Sequence, residues 1–142
     1  MSSKRVLVVE RNPRVADLIG ARLRSHALVE NVENVGDAAQ AVDHLWRHGD
    51  AEQRTLSVPA LILLDLDQDA EAGPLLQRIK SDSRTKTIPV VVLTSSDREA
   101  DVAAGYDRGA NAYVVKPADP HELADVVGEI ARFWLEINRP PP

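Results

Sequence analysis

The chain has 142 residues, with 22 acidic against 17 basic side chains, a net charge of −5, 44% hydrophobic residues and no cysteine. That length suits one domain, since a domain takes roughly 100–200 residues, and it is enough to enclose a core without covalent staples. The missing cysteines exclude a disulfide framework, a thiolate metal centre and a thiol nucleophile. Neither half of the chain is basic and no stripe of Lys and Arg forms, which speaks against nucleic acid as a partner. The longest apolar run, Ala60 to Leu64, falls far short of the about 20 residues that span a bilayer. No signal-peptide core follows Lys4 and Arg5. The expectation is a soluble cytoplasmic protein with no membrane association.

The first apolar run, Val6 to Val9, predicts a strand. Asn12 then offers a helix cap, with Pro13 at the first helical position and Val15, Leu18, Ile19 and Leu23 at helical spacing. Leu28 to Val32 is a weaker strand. Asp37 to Trp46 repeats the helical pattern, and His48 to Pro59 reads as a long polar loop. Ala60 to Leu64 is the third strand, and Leu75, Leu76 and Ile79 mark a short helix after Gly73-Pro74. Val90 to Leu93 predicts the fourth strand, Asp97 to Arg108 a helix ended by Gly109, and Ala112 to Val115 the fifth strand. Asp119-Pro120 starts the last helix, whose apolar stripe runs from Leu123 through Ile137 to the three closing prolines. The apolar runs are continuous, not alternating, which suits strands covered on both faces. Five such strands alternating with five helices predict an α/β fold with a doubly wound five-stranded parallel sheet.

In such a sheet ligands gather at the carboxyl ends of the strands. Glu10 and Arg11 follow the first strand, Asp65 and Asp67 the third, Thr94, Ser95 and Ser96 the fourth, Lys116 and Pro117 the fifth. Carboxylates, hydroxyls and cations would therefore meet on one rim. Each alone is ordinary loop polarity; all four ends together are not. Elsewhere the sequence offers little chemistry. His44 and His48 stand four apart but lack a third ligand. No serine-nucleophile elbow and no glycine-rich phosphate loop is present.

The ordered set Val6-Leu7-Val8-Val9-Glu10, Leu61-Ile62-Leu63-Leu64-Asp65, Val92-Leu93-Thr94-Ser95, Gly109-Ala110-Asn111-Ala112-Tyr113 and Lys116-Pro117 resembles the response-regulator receiver domain of two-component signalling, over about residues 4 to 132. The resemblance implies the flavodoxin-like receiver fold, with a receiver at 1–132 and a C-terminal extension at 133–142. It implies Asp65 as phospho-acceptor, Thr94 as the switch hydroxyl, Tyr113 as the switch aromatic and Lys116 as the invariant cation, followed by a proline whose peptide is often cis. It also implies a Mg2+ held by the acceptor, an acidic pair after the first strand and a carbonyl two residues past the acceptor.

The sequence departs from that pattern at the metal. The acidic pair is Glu10-Arg11, and a guanidinium cannot coordinate a cation. Glu10, Asp65 and Asp67 remain as oxygen donors for a weakened or absent Mg2+ site. Three carboxylates would face two cations, Arg11 and Lys116. Two arrangements are open: Arg11 pairs with Asp65 or Asp67 and partly replaces the metal, or it swings outward.

Phe133, Trp134 and Leu135 stand together before Pro140 to Pro142. This tail resembles that of single-domain response regulators associated with bacterial phytochromes. It implies a homodimer whose interface includes Phe133, Trp134 and Leu135, with a sensor histidine kinase, such as a bacterial phytochrome, as partner. The residues left beyond a receiver are too few for a DNA-binding domain, so signalling through protein contacts, with no enzymatic turnover, is expected. The competing reading is a pseudo-receiver that acts as a phosphorylation-independent dimeric module, with Arg11 replacing the Mg2+ ligand.

Overall fold

The computed structural model describes residues 4–47, 58–67 and 69–142. Strands β1 (Lys4–Val9), β2 (Val29–Val35), β3 (Leu61–Leu64), β4 (Val90–Thr94) and β5 (Ala112–Val115) form one sheet in the order β2-β1-β3-β4-β5, parallel throughout. Helices α1 (Pro13–Arg24), α2 (Ala38–Val42), α3 (Ala72–Ser81), α4 (Glu99–Asp107) and α5 (Pro120–Ala131) alternate with the strands. α2 and α5 each widen into a π-helical turn, over Asp43–Arg47 and Arg132–Ile137. The expected α/β class, five strands and five helices are all present. The His48–Pro59 loop lies outside the described residues except for its last two positions, as does His48 of the histidine pair.

Successive strand residues point to opposite faces, and the two cores follow that alternation. Leu7 and Val9, Ile62 and Leu64, and Val90 and Val92 pack with Ala41, Trp46, Leu76 and Ile79 beneath α2 and α3. Val6 and Val8, Leu61 and Leu63, and Val91 and Leu93 pack with Ile19, Leu23, Leu123 and Val127 beneath α1 and α5. Each fully buried Leu or Ile stabilises the fold by about 1.5–3 kcal/mol relative to exposure. The continuous apolar runs of β1, β3 and β4 thus reflect coverage on both faces. β5 departs from the expectation: its four residues are only half-buried or exposed, because it is an edge strand. β2, the other edge, extends beyond the expected Leu28–Val32 to Val35, because it pairs with the whole length of β1.

Local chemistry fixes the helix ends. The Asn12 side chain accepts the amides of Arg14 and Val15, Asp37 that of Gln40, and Asp119 those of His121 and Glu122. α4 starts at Glu99, two residues later than expected, because Ser96 Oγ is engaged with Asp101 and the Arg98 amide. α5 and its π-helical turn end at Ile137, before the prolines. Trp46 packs on the flank of α3, with the Arg78 guanidinium 4.1 Å from its ring centre and its indole N–H donated to Asp82 at 2.8 Å.

Gly109 makes the turn into β5 with a φ of +108°, a region that L side chains rarely adopt. Asn111 then pairs with the start of β4: its amide donates to the Val90 carbonyl and its side chain accepts the Val90 amide. A Cβ at Gly109 would lie 2.7 Å from Cγ of Lys80, whose ammonium is bonded to the Ile88 carbonyl. Gly109→Ala is expected to cost about 1–3 kcal/mol, read as a lowered midpoint in urea; an unchanged midpoint would refute this account of the turn.

Candidate functional site

The parallel register sets the site. Strand order reverses between β1 and β3, and the ends of these two strands open side by side. The Asp65 amide donates to the Val9 carbonyl, which puts Glu10 and Asp65 next to each other. The Lys116 amide donates to the Thr94 carbonyl and carries β5 one residue further toward the same rim. The rim frames an open cleft of about 730 Å³ lined by Glu10, Arg11, Asn12, Asp65, Asp67 and Lys116, among others.

Glu10, Asp65 and Thr94 are buried charged and polar groups, a rare class that needs partners. Lys116 Nζ donates to Glu10 Oε1 at 3.0 Å and to Asp65 Oδ2 at 3.2 Å, and lies 3.6 Å from Asp67 Oδ2. Glu10 Oε2 accepts the Asn12 amide, and Asp65 Oδ1 accepts the Asp67 amide at 2.8 Å. Asp67 turns toward β4: Oδ1 accepts the Thr94 hydroxyl at 2.6 Å, and Oδ2 accepts the Ser95 amide at 3.0 Å and the Ser95 hydroxyl at 2.7 Å. Tyr113 donates its hydroxyl to the Ser96 carbonyl at 2.9 Å. Every oxygen of the three carboxylates therefore has a partner.

The electrostatics follow. Burial, reinforced by Glu10 and Asp67, pushes the Asp65 carboxyl up to about 7, against the Asp67 amide and the Lys116 ammonium. Burial opposes ionisation of Asp67 too, but the donors Thr94 and Ser95, with Lys116, hold it down at about 2. Burial also opposes the Lys116 charge, yet Asp65 and Glu10 keep its ammonium above the ordinary range.

Arg11 takes the outward arrangement, one of the two that the sequence leaves open. Its side chain is exposed, and among the described residues it forms no ion pair with Asp65 or Asp67. Lys116 already fills the space between the carboxylates, so the guanidinium stays on the cleft wall in water. The charge inside is three carboxylates against one ammonium. Pro117 follows a trans peptide, as no cis bond occurs among the described residues; trans is the lower-energy isomer even before proline. The tail is also redistributed. Leu135 is buried in the core beneath α1 and α5 and Trp134 packs partly against it, so the expected interface loses Leu135. Phe133 and Ile137 face outward at 45% and 52% exposure.

The implied Mg2+ does not fit this donor set. Among the described residues no three acidic or histidine side chains are grouped to hold a metal ion. The cause is visible: Arg11 replaces one donor, Glu10 is held by Lys116 and the Asn12 amide, and Asp67 is turned to β4. Sequence reasoning named Asp67 as a neighbour and metal ligand but missed its role as acceptor for Thr94 and Ser95. The signal was an acidic residue two positions past Asp65, opposite two adjacent hydroxyl side chains.

A family model described as response regulator receiver domain matches residues 6–128. The DNA-binding dual master transcriptional regulator RpaA of Synechocystis is 34% identical over 130 residues, covering 90% of this chain and 49% of that protein. This chain thus spans about half the length of the curated relatives it matches. The crystal structure of the phosphorylated cyanobacterial phytochrome response regulator RcpA is 34% identical, with a TM-score of 0.90, covering 99% of this chain and 100% of that one. The Mn2+-bound form of response regulator Rcp1 is 33% identical, with a TM-score of 0.86, over 98% and 99%.

The raised Asp65 value has a thermodynamic consequence. The unfolded carboxyl loses its proton near pH 3.8 while the native one keeps it up to about 7, so native stability falls as pH rises across that window. In chelator, the melting temperature of Asp65→Asn minus that of the wild type is expected to grow from about pH 4 to about pH 7 and to level off above that. A difference that stays flat or shrinks would contradict this.

Proposed function

Since the chain belongs to the response regulator receiver family of two-component signalling, we propose that it takes a phosphoryl group on Asp65 from a sensor histidine kinase and signals through protein contacts. The observation that carries this reading is the Lys116 ammonium, 3.2 Å from a buried Asp65 carboxylate at the end of a central strand. A carboxylate oxygen of Asp65 attacks phosphorus, the bond from phosphorus to the donor imidazole nitrogen breaks, and the imidazole leaves with that electron pair. Charge spreads over the phosphoryl oxygens during transfer, so positioned donors and cations do most of the work. Lys116 supplies the cation here, and Thr94 and Ser95 supply hydroxyl and amide donors. In this reading the chain is an acceptor and a signal carrier, not a turnover enzyme.

A phytochrome-class kinase is the proposed partner, supported by the close likeness to RcpA over the full length of both chains. A cytoplasmic location fits that partner; no helix among the described residues is long and apolar enough to cross a membrane. The competing phosphorylation-independent module loses its Arg11 lock, because the guanidinium is exposed on the cleft wall; the mismatch with Mg2+ is the observation that still favours it. Receivers use Mg2+, but the donor set here does not fit it, so transfer in this reading leans on Lys116 and the Thr94 and Ser95 donors.

Self-association is the second part of the proposal. Phe133 and Ile137 lie four residues apart at the end of the last helix, both outward, with the Phe133 ring edge-on to Trp134 at 5.0 Å. Exposed large apolar groups on one helix face suit a symmetric contact between two copies.

Incubation with acetyl phosphate is expected to phosphorylate the wild type and to leave Asp65→Asn unlabelled, read by intact mass; labelling of the variant, or of neither protein under any metal condition, overturns the acceptor assignment. Phe133→Glu is expected to shift sedimentation from dimer to monomer while leaving the melting temperature within a few degrees. An unaltered sedimentation coefficient would remove this surface from the proposal.

A further inference from the structure

We propose that the Asp67 carboxylate is a built-in surrogate for the phosphoryl group, occupying the donors that group needs and holding the switch segment inward before phosphorylation. The inference rests on the acceptor reading of Asp65 and goes beyond it, to how the resting state is set.

The geometry is specific. Thr94 Oγ1, Ser95 N and Ser95 Oγ all donate to Asp67, at 2.6, 3.0 and 2.7 Å, and Lys116 Nζ lies 3.6 Å away. Two hydroxyls, one backbone amide and one ammonium form a site for a multi-oxygen anion, and that anion is already present as a side chain. Charge-assisted hydrogen bonds of this kind are roughly twice as strong as neutral ones. The Asp67 amide is tied to Asp65 Oδ1, so the surrogate sits on the same turn as the acceptor. Thr94 is 1% exposed, and Tyr113 holds the next residue but one through the Ser96 carbonyl. The segment Thr94–Ser96 is thus clamped from both sides in the unphosphorylated chain.

Two consequences follow. A phosphoryl group on Asp65 competes with Asp67 for Thr94, Ser95 and Lys116, so Asp67 slows phosphorylation. Phosphorylation also moves the Thr94–Ser96 segment little, because the segment is already held. The change it brings is the displacement of the Asp67 carboxylate into the cleft.

The test combines rates with a structural readout. Asp67→Ala is expected to raise the rate of labelling by acetyl phosphate about tenfold, and Asp67→Asn by less, since an amide oxygen still accepts the Thr94 hydroxyl. In a Thr94→Ala background the gain from Asp67→Ala is expected to shrink severalfold, because the donor being freed is absent. An undiminished gain in that background means that Asp67 acts only as a repelling charge, and overturns the proposal. So does a labelling rate that Asp67→Ala does not raise. The Ser95 amide resonance of the unphosphorylated protein is the independent arm. It is expected to shift upfield in Asp67→Ala and to lie close to its phosphorylated position in the wild type; a resonance that Asp67→Ala does not move overturns the surrogate. The shift on Asp67→Ala is read without any phosphodonor, so failure of Asp65 to accept phosphate and failure of the surrogate are separately visible.

Discussion

The ammonium of Lys116 is the group around which the rim is organised. It is largely buried and reaches three carboxylates from two loops, Glu10 after β1, Asp65 and Asp67 after β3. Without it the parallel register would bring like charges together with nothing between them. Breaking such a buried pair by removing one partner typically costs 3–5 kcal/mol, since the remaining charges stay buried. The cation therefore does two jobs. It makes the convergence of strand ends tolerable, and it leaves a carboxyl at Asp65 that is poised, not permanently ionised.

That one ammonium also accounts for the position of Arg11. A second cation placed among the carboxylates would have to displace Lys116 or share its partners. Water offers the guanidinium a cheaper environment, and its long stem lets it stay on the cleft wall. The negative excess inside is then larger than the sequence suggests. It is absorbed by backbone amides of Asn12, Asp67 and Ser95 instead of by a second basic side chain.

Much of this was legible in the sequence. β1, β3 and β4 were visible because strands covered on both faces are written as unbroken apolar runs, and Asn12-Pro13 and Asp119-Pro120 announced their helices by cap chemistry. The residues Glu10, Asp65, Thr94 and Lys116 were placed on one rim by their positions at strand ends. What escaped depends on side-chain direction. Nothing in the spacing says that Asp67 turns to Thr94 and Ser95, or that Arg11 turns away. The burial of Leu135 escaped for a similar reason: in Phe133-Trp134-Leu135 three adjacent apolar residues point about 100° apart, and the widened last turn sends Leu135 into the core. The edge strands were the other weak point, since an edge loses the coverage that makes a run continuous.

Those edges carry a consequence for how the molecule meets others. β2 presents Glu30, Asn31, Glu33 and Asn34 to solvent, and β5 is only four residues long. An acidic border on one side and a short one on the other make poor templates for strand addition. The sheet cannot readily be extended by a second sheet, so recognition is confined to helices and to the loops above the strand ends.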